Sequence, residues 1–270
     1  TGEGAPHLDQ HAIRDTFGAT TPREGSAMLV LSTGTAAATG QSAPVFIAFQ
    51  PGTDRLVTSA PPADWLTAHS GGQPVVPTCP ELGPMAKDPA MLQLRLRVPS
   101  NAQAFRLHGD FFSVDYPEFV CTTFNDTFVA LLDSQATSNP ADKNLAVTLS
   151  DGGEAYPMNV NVTLVGDLFR VCQNSCTATP PNMVYTSCVS DAELIGTGFD
   201  TADAHGCPPP AGQFGAGTGW MAIQGNVVGG EIITLRLAIW DNGDGIFDSV
   251  VLLDGLEWLP EPVTAGAFAE

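Results

Sequence analysis

Two short acidic segments hold most of the residues in this chain that could do chemistry. The first runs from Asp115 through Glu118, Cys121 and Asn125 to Asp126, and the second reads Asp241-Asn242-Gly243-Asp244-Gly245-Ile246-Phe247-Asp248. Each sets carboxylates and a carboxamide between apolar runs, where the backbone must turn. Carboxylates packed together repel one another and lose hydration unless a cation offsets their charge. A hard cation is therefore expected, and Ca2+ suits oxygen donors held in irregular loops. The expected ligands are Asp115, Glu118, Asn125, Asp126, Asp241, Asn242, Asp244 and Asp248.

The second segment is the more specific of the two. Asn242-x-Asp244-Gly245-x-x-Asp248 is similar to part of the loop in dockerin-like and thrombospondin-like calcium sites. Alternate side chains in such a loop converge on one centre, and glycine lets the backbone curl around it. It is not an EF-hand, because an acid would be needed at position 252, which is Leu252. The competing reading is an ion-free hairpin turn, since Asn-Gly and Asp-Gly both favour positive φ. In the first segment Pro117 stiffens the loop and Cys121 offers a staple. The competing reading there has Asn125 and Asp126 capping backbone N–H groups. Strand ends that meet in a sandwich would let both segments share one ion.

Composition narrows the class. Of 270 residues, 29 are acidic and only 10 basic, for a net charge of −19. Nucleic acid needs basic patches, so it is not an expected partner; simple docking on anionic lipid is disfavoured for the same reason. Charged residues make up 14% of the chain, against roughly 25% in an average domain. The 28 glycines and 22 prolines are scattered, which marks turns rather than disorder. No apolar run is long enough to span a membrane, so no direct membrane insertion is expected.

Cys79, Cys121, Cys172, Cys176, Cys188 and Cys207 are even in number, as in proteins of oxidising compartments. Pairing neighbours gives Cys79–Cys121, Cys172–Cys176 and Cys188–Cys207 as the expected set. Zinc is the competing reading, but the spacing is irregular and no flanking Lys or Arg favours thiolates. No signal peptide is visible and the chain starts at Thr1, as in a processed protein. An extracellular or cell-surface location is thus expected from the cysteines.

The elements that must carry these residues are strands. Period-two alternation or β-branched runs mark 27–31, 44–49, 91–98, 104–114, 127–132, 146–149, 159–164, 220–223, 231–240 and 249–254. Residues 50–90 lose the pattern, and 170–215 look irregular apart from 193–199. No helix of three turns is expected. The fold class is all-β: a single β-sandwich, jelly-roll-like, with long disulfide-stapled loops. The expected organisation is an N-terminal arm (1–25), one sandwich domain (26–260) and a C-terminal tail (261–270).

Tyr116-Pro-Glu-Phe-Val120 followed by Phe124-Asn-Asp-x-Phe128 resembles the bacterial choice-of-anchor L family. So do Gly217-Thr-Gly-Trp220, Gly230-Glu-Ile-Ile-Thr-Leu-Arg-Leu-Ala-Ile-Trp-Asp241 and Gly243-Asp-Gly-x-x-Asp-Ser-Val-Val-Leu-Leu-Asp254, in the family's order, over roughly residues 26 to 258. The resemblance implies an all-β secreted or surface-attached module, joined to varied anchors and without established catalysis. The family often has two acids before Tyr-Pro-Glu, where this chain has Val114-Asp115. The chain ends at Glu270 without a sorting signal, so an anchor removed, secretion or assembly with partners is expected.

Catalytic readings find less support. No Gly-x-Ser-x-Gly elbow occurs, and His7 and His11 lack the Glu of His-Glu-x-x-His. The acids lie in turns rather than on apolar faces that raise a pKa for glycoside hydrolysis. His108 is expected to be a core or edge histidine. Trp65, Trp220, Trp240 and Trp258 suit core packing more than a sugar platform. The expected function is a secreted, calcium-stabilised module for adhesion or for binding a surface glycan or protein ligand. The alternative is a structural subunit of an extracellular filament or coat, in which copies assemble through the N-terminal arm. A polysaccharide hydrolase is the third reading.

Overall fold

The computed structural model describes residues 8–36, 54–116, 119–166, 168–172, 188–200 and 215–270. Two antiparallel sheets face each other across one core. The wider sheet orders β1 (His11–Arg14), β2 (Met28–Ser32), β12 (Ser249–Leu259), β5 (Ala104–Ser113), β10 (Met221–Asn226) and β13 (Gly266–Ala269), with β9 (Ala216–Gly217) also pairing β5. The narrower sheet orders β3 (Thr58–Ser59), β4 (Ala86–Arg97), β11 (Ile232–Asp241) and β6 (Thr127–Asp133). A separate ribbon pairs β7 (Val147–Leu149) with β8 (Ala155–Pro157). The chain is all-β, with one six-residue α-helix, α1 (Ala63–Ala68), among the described residues.

Alternation explains the layering. Leu31, Phe105, Leu107, Phe111, Ile223 and Val251 of the wide sheet meet Ala90, Phe128, Leu132, Ile233, Leu235, Leu237 and Ile239 of the narrow one. The neighbouring positions face outward and are covered as well. Phe112, Val250 and Leu252 pack under Phe17, Leu194 and Phe199. Trp65 of α1 covers Val129, Leu131 and Ala238 and meets Trp240 edge-on, with ring centroids 5.7 Å apart. Both of these tryptophans are core residues. Trp258 packs against Phe105, and Trp220 lies beside the Arg23 guanidinium. His108 is buried on β5, its Nδ1 3.1 Å from the Glu270 carboxylate.

Several expectations are corrected. Asn159 to Leu164 alternates like a strand but forms a 3-10 helix, Val160–Leu164. Its side chains decide this: Asn159 Oδ1 accepts from Asn161 N at 3.0 Å, and Thr163 Oγ1 donates to Val160 O. Such local bonds compete successfully with a ladder. The 193–199 segment holds a short 3-10 turn, Ala192–Leu194, and two glycines at positive φ, Gly196 and Gly198. Residues 50–90 are not all loop, since β3, α1 and the start of β4 lie among those described. The terminal segments enter the wide sheet as β1 and β13. The strand expected at 44–49 lies outside the described residues.

Cys79 pairs with Cys121, and Cys172 pairs with Cys188. The second pairing replaces both Cys172–Cys176 and Cys188–Cys207. Cys172 and Cys188 come together because Cys172 N donates to Ser190 O and Val189 N to Arg170 O, which zips the two segments side by side. Cys176 and Cys207 lie outside the described residues.

Candidate metal centre

Five strand ends from both sheets meet at one end of the sandwich. β2 delivers Thr33 and Gly34, β5 delivers Asp115, β12 begins after Asp248, β11 ends on Asp241, and β6 begins after Asp126. Register holds them there. Thr33 N donates to Ser249 O, and Ser249 N donates to Thr33 Oγ1 at 2.9 Å. On the other sheet Trp240 pairs with Thr127. A β-bulge sets Asp88 and Pro89 of β4 against Trp240, between the Ala90–Ile239 and Lys87–Asp241 pairs.

The two acidic loops therefore close on each other. Asp126 N donates to Asp115 Oδ2 at 3.1 Å, and Ser249 Oγ donates to Asp126 Oδ2 at 2.5 Å. Asp115, Asp126, Asp241 and Asp248 are all at most 2% exposed. No ion pair among the described residues involves Asp115, Asp126 or Asp241. Neither oxygen of Asp241 has a hydrogen-bond donor in bonding geometry. Thr33 Oγ1 lies close enough to favour its charged form slightly.

Electrostatics follow from this crowding. Burial pushes the Asp115 carboxyl up to about 7, with Asp244 adding to the shift. Burial, and then the Asp115 charge, hold Asp126 well above the usual carboxylate range. Asp241 is raised for the same reason, by burial and then by Asp126 and Asp248. Each loses water without gaining a cationic side chain.

The remaining expected ligands behave differently. Asn125 Oδ1 accepts from Val160 N at 3.0 Å, and Asn242 Oδ1 accepts from Gln73 Nε2 at 2.6 Å. Asn242 Nδ2 donates to Asn125 O and to Thr127 Oγ1. Both carboxamides thus hold the loops together. Asp244 is only half-buried, accepts from Ile246 N at 3.3 Å, and is raised by burial and by Asp54. Glu118 lies outside the described residues. Among the described residues no three His, Cys, Asp or Glu side chains stand in a ready-made metal shell.

Three supporting residues escaped the sequence reading. Gly34 has no side chain because the Asp248 carboxylate lies against its Cα, where a Cβ would overlap it. Asp88, at φ 43°, accepts from Arg55 N at 2.7 Å and Val57 N at 3.0 Å, and so ties residues 54–57 to the bulge. The Asp88-Pro89 dipeptide was its only signal in the sequence. Gln73 reaches the site from a loop, with Trp240 Nε1 donating to its Oε1 at 3.2 Å. Elsewhere, Asp110 is fully buried on β5 beside Thr218 and is raised well above the usual range by burial and by Glu193.

The chain is thus an all-β, disulfide-stapled sandwich whose buried acids gather at one end. The chain belongs to the choice-of-anchor L domain family, which it matches over residues 27–257. That membership makes it a surface-associated, anchor-type protein of the cell surface or exterior. Neither the curated proteins nor the solved structures contain a match to the chain.

Proposed function

We propose that this chain is a non-catalytic extracellular module for adhesion or surface binding, with Ca2+ tying its two acidic loops together. One observation carries the reading: Asp241 is buried beside Asp126 and Asp248, and no cationic side chain among the described residues pairs with it. Buried carboxylates without cations are costly, and a divalent ion is the simplest group that offsets several at once. Asp115, Asp126, Asp241 and Asp248 would supply the charge, with Ser249 and Thr33 beside them. Inward movement of these side chains on loading is part of the proposal, since no ready shell stands among the described residues.

Two features support a non-catalytic role. Asp115, Asp126 and Asp241 are sealed under strand ends, whereas general acids must reach substrate. A groove of about 570 Å³ between Asp133–Lys143 and Glu231 lies elsewhere, and its charges are engaged. Glu231 there accepts from Ser134 Oγ, Gln135 N and Val228 N, and Lys143 pairs with Asp64 and Asp133. Calorimetric titration of chelator-treated protein with Ca2+ tests the proposal. Saturable binding that is lost in Asp241→Asn supports it, and no heat of binding contradicts it.

A further inference from the structure

The two sheets differ in width, and the overhang leaves a seam. Ile13 of β1 pairs with Leu29 of β2, so the two share the face turned toward the narrow sheet. Ile13 is nevertheless 68% exposed, and Leu29 is only half-buried. Opposite them runs β4. One edge of β4 pairs with β11 from Lys87 to Arg97, while β3 covers the other only at Ala86 and Lys87. Asp88 N still reaches Val57 O. Beyond it, Pro89 to Arg97 meet no further strand on that edge among the described residues. Gln10 Nε2 donates to Asp88 O at 2.7 Å, which sets the start of β1 beside the point where β3 leaves.

Side chains along this edge alternate in a telling way. Leu92, Leu94 and Leu96 turn toward the core but remain half-buried, and no strand among the described residues flanks them on that edge. Met91, Gln93, Arg95 and Arg97 face outward and are exposed. Arg95 has no ion pair or side-chain hydrogen bond among the described residues, and Arg97 only donates to Gly230 O at 3.3 Å. Arg236 on the neighbouring strand is neutralised by Asp64. In a chain with 29 acids and 10 bases, two arginines without an ion pair among the described residues put positive charge along this edge.

Charged side chains also blunt edges against aggregation. A blunted edge does not require a row of half-bare leucines with an exposed isoleucine across the seam. We propose that β4 accepts an extended strand from another polypeptide, one in which apolar residues alternate with carboxylates. Its backbone would pair with residues 89–97, its apolar side chains would cover Leu92, Leu94 and Ile13, and its carboxylates would meet Arg95 and Arg97. The receptor is an edge of the folded domain rather than an arm, and the calcium centre plays no part in it.

The test uses a synthetic peptide of repeating Val-Glu, with Val-Lys and Ser-Glu peptides as controls, against calcium-saturated protein. Fluorescence anisotropy reads binding, and hydrogen exchange reads the amides of β4. The expected result is saturable binding by Val-Glu alone, with slowed exchange between Met91 and Arg97. Arg95→Glu with Arg97→Glu weakens it by about tenfold or more, as loss of steering and pairing charges requires. Both sites are exposed, so an unchanged melting temperature confirms that the variant is folded. Absence of binding, equal binding by Val-Lys, or binding indifferent to charge reversal overturns the proposal. So does concentration-dependent dimerisation abolished by the same variant, which would make a second copy the occupant.

Discussion

Asn242 Nδ2 donates to the carbonyl oxygen of Asn125 at 2.5 Å, joining loops 117 residues apart in sequence. The same amide also reaches Thr127 Oγ1 at 2.9 Å, and its oxygen takes the Gln73 amide. One buried side chain thus connects the start of β6, the end of β11 and the 73–83 loop, where Gln73 also donates to Gly83 O. Asn242→Ala leaves those partners unsatisfied and is expected to cost about 3 kcal/mol. Urea unfolding in Ca2+ and in EDTA checks this; a loss below about 1 kcal/mol would show that the clamp is dispensable.

Without calcium, the acids make stability depend on pH in an unusual direction. The folded pKa values of Asp115, Asp126 and Asp241 lie above those of an unfolded chain. Their contribution is therefore fully present below about pH 4 and is lost as pH rises through the folded values, for Asp115 at about 7. Unfolding free energy in EDTA is expected to fall between about pH 4 and 8. Saturating Ca2+ flattens or reverses the trend, because the ion needs deprotonated ligands. Chelated protein that gains stability over that range would contradict the charge crowding.

Gly34→Ala places a methyl group where the Asp248 carboxylate lies. Overpacking of this kind costs about 1–3 kcal/mol. It also displaces an expected ligand, so the Ca2+-dependent part of the melting shift is expected to shrink more than the stability in EDTA. Equal losses in both conditions would show that Gly34 serves packing alone.

The sandwich was legible because its strands carry period-two alternation or β-branched apolar runs. Met91 to Val98, Glu231 to Trp240 and Ser249 to Asp254 all fall inside or beside the observed β4, β11 and β12. The two acidic loops stood out because carboxylates between apolar runs have few structural uses. What sequence could not give is which oxygens are already engaged. Asn125 and Asn242 look like ligands by type, yet the fold supplies backbone and amide partners from far along the chain. Gly34 was equally invisible, and Asp88 showed only a turn dipeptide, since each matters through a neighbour more than thirty residues away. The Asn159 segment failed for a local reason: its side-chain caps outweigh its period-two pattern.

The Cys79–Cys121 disulfide closes a loop with a sequence separation of 42 and anchors the first acidic segment. Chain-entropy estimates put the loss on replacing both cysteines with serine at about 4 kcal/mol. Cys121 sits at φ 62° with its N–H donated to Asn161 Oδ1, so its backbone is held independently of the sulfur. Calcium affinity is therefore expected to weaken while binding persists. Calorimetry on the double variant reads both effects, and complete loss of binding would mean that the disulfide itself shapes the ligands.

The most direct test compares melting curves of the native chain and Asp241→Asn, each in Ca2+ and in EDTA. Native protein at 100 times Kd is expected to gain about 2.7 kcal/mol from the ion. Asp241→Asn removes one of the crowded charges, so it should lose most of that gain and melt no lower than native protein in EDTA. Identical native curves with and without Ca2+, or an Asp241→Asn variant that keeps the full shift, would contradict a divalent ion held by the buried aspartates.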